Sequence, residues 1–341
     1  MLLEKLTEAK GVSGNEQEIR KLILKEIKKY AKDVKIDKFG NIIAHKKGTG
    51  PKVMLAAHMD EIGLMVKSIS DKGNIYCSEV GGHEPIGLIG QKIRIKAKKG
   101  FIRGIITIPA LYDGEELDEE LPVVEDLVVD TGLTKNQLKK LGIGIGSFIE
   151  LEQKTEFLGS KDFICGKALD DRLGCYILLE LAKKLQKTKS NIYYVFTVQE
   201  EIGLYGSKTS VYTIDPDWAI IVDVTNADDS SEHSHEITKQ LGKGPCITIK
   251  DAEMISNICI DDWLKKIAKK KKIPIQLDVS DTGTTDALTI SISKGGVPSA
   301  VVGVAIRNLH TTIGIANLQD IKNAINLLAE LLKNPPKKCV T

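Results

Sequence analysis

No two of the six cysteines in this 341-residue chain fall at a CxxC spacing. Cys77, Cys165, Cys175, Cys246, Cys259 and Cys339 are scattered, which points neither to a disulfide framework nor to a structural zinc site. Reduced, mostly buried thiols and a cytoplasmic location are the expectation. No apolar run approaches the roughly 18 residues that cross a bilayer. The N-terminal stretch Met1–Leu6 is amphipathic and has no secretory core. A surplus of charge is also missing. The 48 basic and 46 acidic residues leave a net +2, so neither nucleic acid nor an anionic membrane is an expected partner. Internal repeats and low-complexity tracts are absent.

What is present is the balance of a globular enzyme, 42% hydrophobic and 28% charged. Residues 3–31 carry Leu and Ile at helical spacing, broken at Gly11-Val12-Ser13-Gly14. Ser13 and Glu16 fit a capping box that opens the second helix. Val34 to Ala44 alternates about a turn at Lys38–Asn41. Val53–Ala57 is a short apolar run, as in a strand buried on both faces. From 63 to 157 the texture changes to short alternating strands between Gly- and Lys-rich turns, with a short helix near Lys135–Leu141. After 158 strands and helices alternate again. Helices are expected over Asp171–Leu185, Ile255–Lys271, Thr285–Ser293 and Leu318–Leu332. Strands are expected over Ile192–Val198, Trp218–Val224, Ile275–Val279 and Ser299–Ile306. The lysine run Lys269–Lys272 reads as a solvated helix end.

These patterns predict an α/β fold with a mixed, mostly parallel sheet sandwiched by helices. Residues 1–62 and 158–341 form that discontinuous α/β domain. Residues 63–157 form an inserted, β-rich, barrel-like domain.

The apolar strands end in residues that can bind metals. Val53–Ala57 runs into His58-Met59-Asp60. Ile192–Val198 runs into Glu200-Glu201, and Trp218–Val222 into Asp223. Ser299–Ile306 leads to His310. Asp170 and Asp171 lie in a turn that enters a helix. Taken singly, each has an ordinary explanation as a turn former, helix cap or loop residue. Together they line one sheet edge, where α/β ligands bind. Two imidazoles and three carboxylates exceed one four-coordinate zinc. They suit two metals sharing a bridging carboxylate, with zinc, cobalt or manganese matching the donors. His45, His83, His233 and His235 follow no buried strand of the α/β domain. His83 reads as structural, although it can overhang the site, and His233 and His235 read as an exposed loop.

The segments Gly11–Gly14, Ala57–Gly63, Lys167–Arg172, Gln199–Gly203, Asp223–Thr225 and Leu309-His310 resemble the tetrahedral (TET) dinuclear-metal aminopeptidases. That family holds glutamyl, leucyl and lysyl aminopeptidases and some members labelled endoglucanases. The resemblance runs in order through nearly the whole chain. It implies that His58 and Asp223 hold one metal, Glu201 and His310 the other, and that Asp170 bridges them across a cis peptide to Asp171. Asp60 would orient His58, and Glu200 would be the general base that draws a proton from a metal-activated water. The β-rich insert would be a dimerisation domain, and the dimers would build a tetrahedral homododecamer acting on short peptides. Two stretches depart from the family pattern, Asn226–Ser230 after Asp223 and Arg307–Thr311 around His310, so side-chain preference stays open. Gly283–Ala287 resembles a cleft-lining loop of the family. A metal-dependent deacylase of N-acylated amino acids is the alternative. A glycosidase or a silent scaffold fits the complete ligand set less well.

Overall fold

Strand Thr49–His58 is buried from Val53 onward, and its side chains alternate between two cores. Val53, Leu55 and Ala57 face one cluster; Met54 and Ala56 face the other. That alternation places the strand inside a sheet with helices on both faces. The computed structural model describes residues 1–108, 121–230, 237–336 and 339. His233 and His235 lie outside the described residues.

Four parallel strands form the middle of an 11-stranded sheet: Ser190–Thr197, Thr49–His58, Trp218–Asn226 and Ser299–Arg307, in that order. The margins on the two sides of this order are antiparallel. Ile42–Lys46 and Asp33–Ile36 extend one side through the hairpin expected at Lys38–Asn41. Gly314–Asn317, Phe163–Gly166 and Glu156–Phe157 extend the other. Cys246–Lys250 also joins Ser299–Arg307 and carries Gln276–Val279 as an edge strand. The sheet is therefore mixed, parallel in its centre and mostly antiparallel outside it, with Gln276–Val279 parallel to Cys246–Lys250.

One helical layer contains Leu2–Glu8, Gln17–Ile27, Leu169–Lys184, Ile258–Lys271 and Leu318–Lys333, whose apolar residues share the larger core. Val211, Ile214, Ala287 and Ile290, from helices Tyr205–Ile214 and Asp286–Ser291, pack on the opposite face. The lysine run does end a helix, and Lys271 reaches Glu330 at 2.8 Å.

Between Gly63 and Leu151, six antiparallel strands close into a barrel, in the order Gly63–Ile69, Ile75–Val80, Val128–Asp130, Phe101–Thr107, Lys92–Lys96, Phe148–Leu151. Its interior is a separate apolar cluster that includes Leu64, Val66, Ile93, Ile95, Ile106 and Ile149. Closure leaves no unpaired sheet edge. The short helix Lys135–Lys140 is present, capped by Thr134.

Two expectations are corrected. Cys259 and Cys339 form a disulfide, their Cα atoms 5.5 Å apart across 80 residues. Cys339 is buried in the large core, where Cys259 of helix Ile258–Lys271 also packs, and spacing alone gives no sign of this. Cys77, Cys165, Cys175 and Cys246 remain free and buried. Ser13 does not cap a helix. The helix N-cap is Glu16, whose carboxylate accepts from the Gly14 amide, and Ser13 is used elsewhere.

Candidate metal centre

The four central strands carry their polar residues to one edge in spatial order. Glu200 and Glu201 follow strand Ser190–Thr197, His58 ends the next strand, and Asp223 lies in the third. His310 lies three residues beyond the fourth. The register pairs Thr197 with His58 and Asp223 with Gly303. Asp170 and Asp171 join from above, where strand Phe163–Gly166 turns into helix Leu169–Lys184. Their shared peptide bond is cis.

Asp170 sits between the two histidines. Its Oδ1 lies 2.9 Å from His58 Nε2 and its Oδ2 3.5 Å from His310 Nε2. His58 Nε2 is 3.9 Å from Asp223 Oδ1, and His310 Nε2 is 3.8 Å from Glu201 Oε2. By these distances Asp170 lies between a His58–Asp223 pair and a His310–Glu201 pair. Donor atoms of His58, Asp170 and Glu201 lie within 4.8 Å of one another, as do those of His58, Asp171 and Asp223. Asp171, which the sequence offers as half of a carboxylate pair and the family resemblance leaves without a ligand role, is ligand-capable here. Its Oδ1 accepts from the Gly174 amide at 2.9 Å, while Oδ2 has no partner.

The electrostatics of the cluster favour added positive charge. Burial and the charges of Asp286, Asp223 and Glu201 hold Glu200 well above the usual carboxylate range, against His58. Burial and Asp170 push Glu201 up to about 8. Burial, with Asp170 opposed by His58, brings Asp223 to about 7. Asp170 goes the other way: burial is outweighed by hydrogen bonds from His310 and His58. His310 rises to about 9 through its bond to Asp170. For His58, burial is outweighed by Glu200, Asp170 and Asp60, so it too rises. Five carboxylates and two imidazoles crowd a small volume, and Glu201 Oε1 is buried without a partner. Oxygen and imidazole donors in this arrangement fit divalent cations.

Asp60 lies under the site, fully buried. Its Oδ1 is 3.6 Å from His58 Nδ1 and also accepts from the Glu200 amide at 3.2 Å. Its Oδ2 accepts from the Glu201 amide at 3.2 Å and from the Ser13 hydroxyl. Ser13 is thus part of the site's support, a role hidden in the sequence because its partner is 47 residues away. The neighbouring Glu61 is buried with Lys167 and Arg172, and Arg172 also donates to the carbonyls of Leu6, Ala9 and Met59. The N-terminal segment is thereby tied to the floor of the site.

His83 donates from Nε2 to the Gly63 carbonyl (2.8 Å), and burial lowers its pKa to about 4. The loop that carries it does overhang the site. A Cβ on Gly82 would lie 3.3 Å from His310 Nδ1, and the Glu84 amide donates to the His310 carbonyl. His45 is remote, stacked on Tyr193 at the sheet margin. The two stretches that depart from the family pattern meet each other: Arg307 grips Asp229 with two hydrogen bonds of 2.7 and 2.8 Å. Gly283, Thr284 and Thr285 line the cleft as expected, and Asp286, the first residue of the helix that follows, accepts from Thr197 at 2.6 Å and keeps Oδ1 unpartnered.

Fold and site together define an α/β protein that can hold cations at the carboxyl edge of parallel strands. Similarity to known proteins narrows this. Residues 40–327 match the model of the M42 glutamyl aminopeptidase family. The lysyl aminopeptidase of Pyrococcus furiosus is 38% identical over 337 residues, 97% of this chain and 96% of that one. Two solved structures superpose closely. The TET aminopeptidase of a marine-sediment Thaumarchaeota archaeon gives a TM-score of 0.93 at 32% identity, covering 98% of this chain and 96% of the other. The TET1 peptidase of Pyrococcus horikoshii, described as assembling into a tetrahedron or a large octahedral shell, gives 0.88 at 30% identity over 97% and 98%. The chain belongs to the M42 glutamyl aminopeptidase family, and is an aminopeptidase. Among the described residues, no helix is long and apolar enough to cross a membrane.

Proposed function

We propose that this protein is a cytoplasmic, metal-dependent aminopeptidase working with two divalent cations, zinc or cobalt, with manganese also admitted. The observation that carries this is the placement of Asp170, whose two oxygens face His58 and His310 on opposite sides. His58 and Asp223 would hold one cation, Glu201 and His310 the other, and Asp170 would bridge. When bound, the cations would supply Lewis acidity to the scissile carbonyl and make water more acidic. Asp60 would fix the His58 ring through Nδ1. Glu200 would take the proton of the attacking water and return it to the leaving amine. The carboxylates around Glu201 would favour the α-ammonium group of the substrate, which confines cleavage to the first peptide bond.

Dialysis against a chelator is expected to abolish hydrolysis of aminoacyl anilides, and cobalt, zinc or manganese to restore it. Activity that survives complete metal removal would sink the proposal. N-acetyl amino acids run beside the anilides separate the deacylase alternative, which requires the opposite preference.

We further propose that residues 1–62 and 158–341 form the catalytic domain and that 63–157, with its closed barrel, serves oligomerisation. The relatives' tetrahedral assemblies support a homododecamer built from dimers. Light scattering is expected to give a particle near twelve times the chain mass of 37.3 kDa; a monomer at assay concentration would refute it.

A further inference from the structure

The cleft that holds the metal-capable cluster has a volume of about 920 Å³ and continues well past it, to a wall that contains Asp251, Glu253 and Thr284. Asp251 follows strand Cys246–Lys250 and is only 5% exposed. Its Oδ1 accepts from the amides of Glu253 and Met254, at 2.8 and 2.7 Å. Its Oδ2 is buried with no hydrogen-bond partner. Two backbone amides therefore fix the carboxylate and leave one oxygen unmatched. A buried carboxylate oxygen in that condition is costly, so something in the working enzyme has reason to meet it.

Thr284 has the same defect. Its Oγ1 is buried and unpartnered, and it lines the same cleft. The Ala252 amide donates to the Gly283 carbonyl at 3.1 Å, which sets the Thr284 loop against the Asp251 turn. The charged groups nearby do not neutralise Asp251. Lys250 turns to Asp281 at 2.8 Å and to the carbonyls of Asp251 and Ser280. Lys239 is committed to Asp278 at 3.0 Å. Lys208 lies over the Tyr205 ring and donates to the Gly203 carbonyl. Glu253 adds a second negative charge to the wall.

We infer that Asp251 and Thr284 form a subsite for the basic side chain of a lysyl or arginyl residue in the peptide, resting on the reading that this cleft binds peptides. An ammonium or guanidinium group has only donors to offer, and both unmatched atoms here accept. An acidic side chain would face Asp251 and Glu253 with like charge. An apolar one would leave Oδ2 unpaired.

The test uses the full-length, metal-loaded enzyme, with Asp251→Asn and Thr284→Val. Asparagine keeps an acceptor for the two amides, and valine keeps the shape of threonine. Lysyl, arginyl, leucyl and glutamyl anilides read the first position; Ala-Lys-Ala against Ala-Leu-Ala reads the second. A preference for the basic residue at either position is expected. Asp251→Asn should lower kcat/KM for the preferred basic substrate by about 10–100-fold, mainly through KM, and leave the leucyl substrates within a few-fold. Thr284→Val should act in the same direction, more weakly. Equal losses on basic and leucyl substrates, or no basic preference at either position, would overturn the assignment. Calorimetric binding of lysinamide against leucinamide gives a reading independent of turnover. If no aminoacyl substrate is cleaved but lysinamide binds better and loses that advantage in Asp251→Asn, the subsite stands and the aminopeptidase reading falls. Equal binding of both amides, together with equal handling of Ala-Lys-Ala and Ala-Leu-Ala, overturns the subsite.

Discussion

Glu200→Gln is expected to lower kcat by about 10²–10⁴-fold, the usual span for a general acid–base group, with both metals retained. Glutamine keeps the size and hydrogen-bonding reach of the side chain but cannot take a proton. The backbone of Glu200 is held by its amide to Asp60, so the substitution should not displace the turn. Glu200 also belongs to neither of the two residue groups whose donor atoms lie within 4.8 Å of one another. Steady-state rates with metal analysis of the same preparation make the test. A variant that turns over near the wild-type rate removes Glu200 from the mechanism. A variant that has lost metal instead makes Glu200 a ligand.

Asp170→Asn should be the more damaging change to the site as a whole. Outer-shell partners of metal ligands already cost about 10–100-fold when removed, so the loss in activity should be at least about a hundredfold. Metal content should fall in both halves, because one carboxylate faces both histidines. Asp223→Asn, by contrast, should affect the His58 half alone. Asp223 approaches His58 at 3.9 Å, whereas His310 approaches Asp170 and Glu201. Metal-to-protein ratios distinguish the two patterns. If Asp170→Asn keeps a full complement, Asp170 does not bridge.

The placement of the candidate site was legible in sequence because buried parallel strands announce themselves. Val53–Ala57 and Trp218–Val222 are unbroken apolar runs, and a residue just past such a run, at the carboxyl end of a parallel strand, lands in the ligand crevice. The pieces that were not legible depend on contacts distant in the chain. Ser13 looks like a helix cap locally, and only the fold shows Asp60 as its partner. Cys259 meets Cys339 across 80 residues without any motif. Strands Phe163–Gly166, Cys246–Lys250 and Gly314–Asn317 are four or five residues long, too short for a period to register. Helix Tyr205–Ile214 carries Ser207, Thr209, Ser210 and Thr213, and its apolar stripe is correspondingly thin.

The turns that place the metal-capable side chains share one backbone trait. Eight described non-glycine residues have positive φ, and five of them flank the site: Ala168, Gln199, Leu204, Asn308 and His310. Each such conformation costs on the order of 1–2 kcal/mol for an ordinary side chain. Local strain is therefore concentrated where the chemistry is, and the two cores beneath offset it. That sets opposing pressures on the same few positions. Glycine at 168 or 199 would ease the backbone and raise thermal tolerance, yet it would also loosen the turns that hold Asp170 and the two glutamates in place. Evolution toward higher growth temperature would then have to act on the barrel, the sheet margins and the C-terminal staple before it touched this edge.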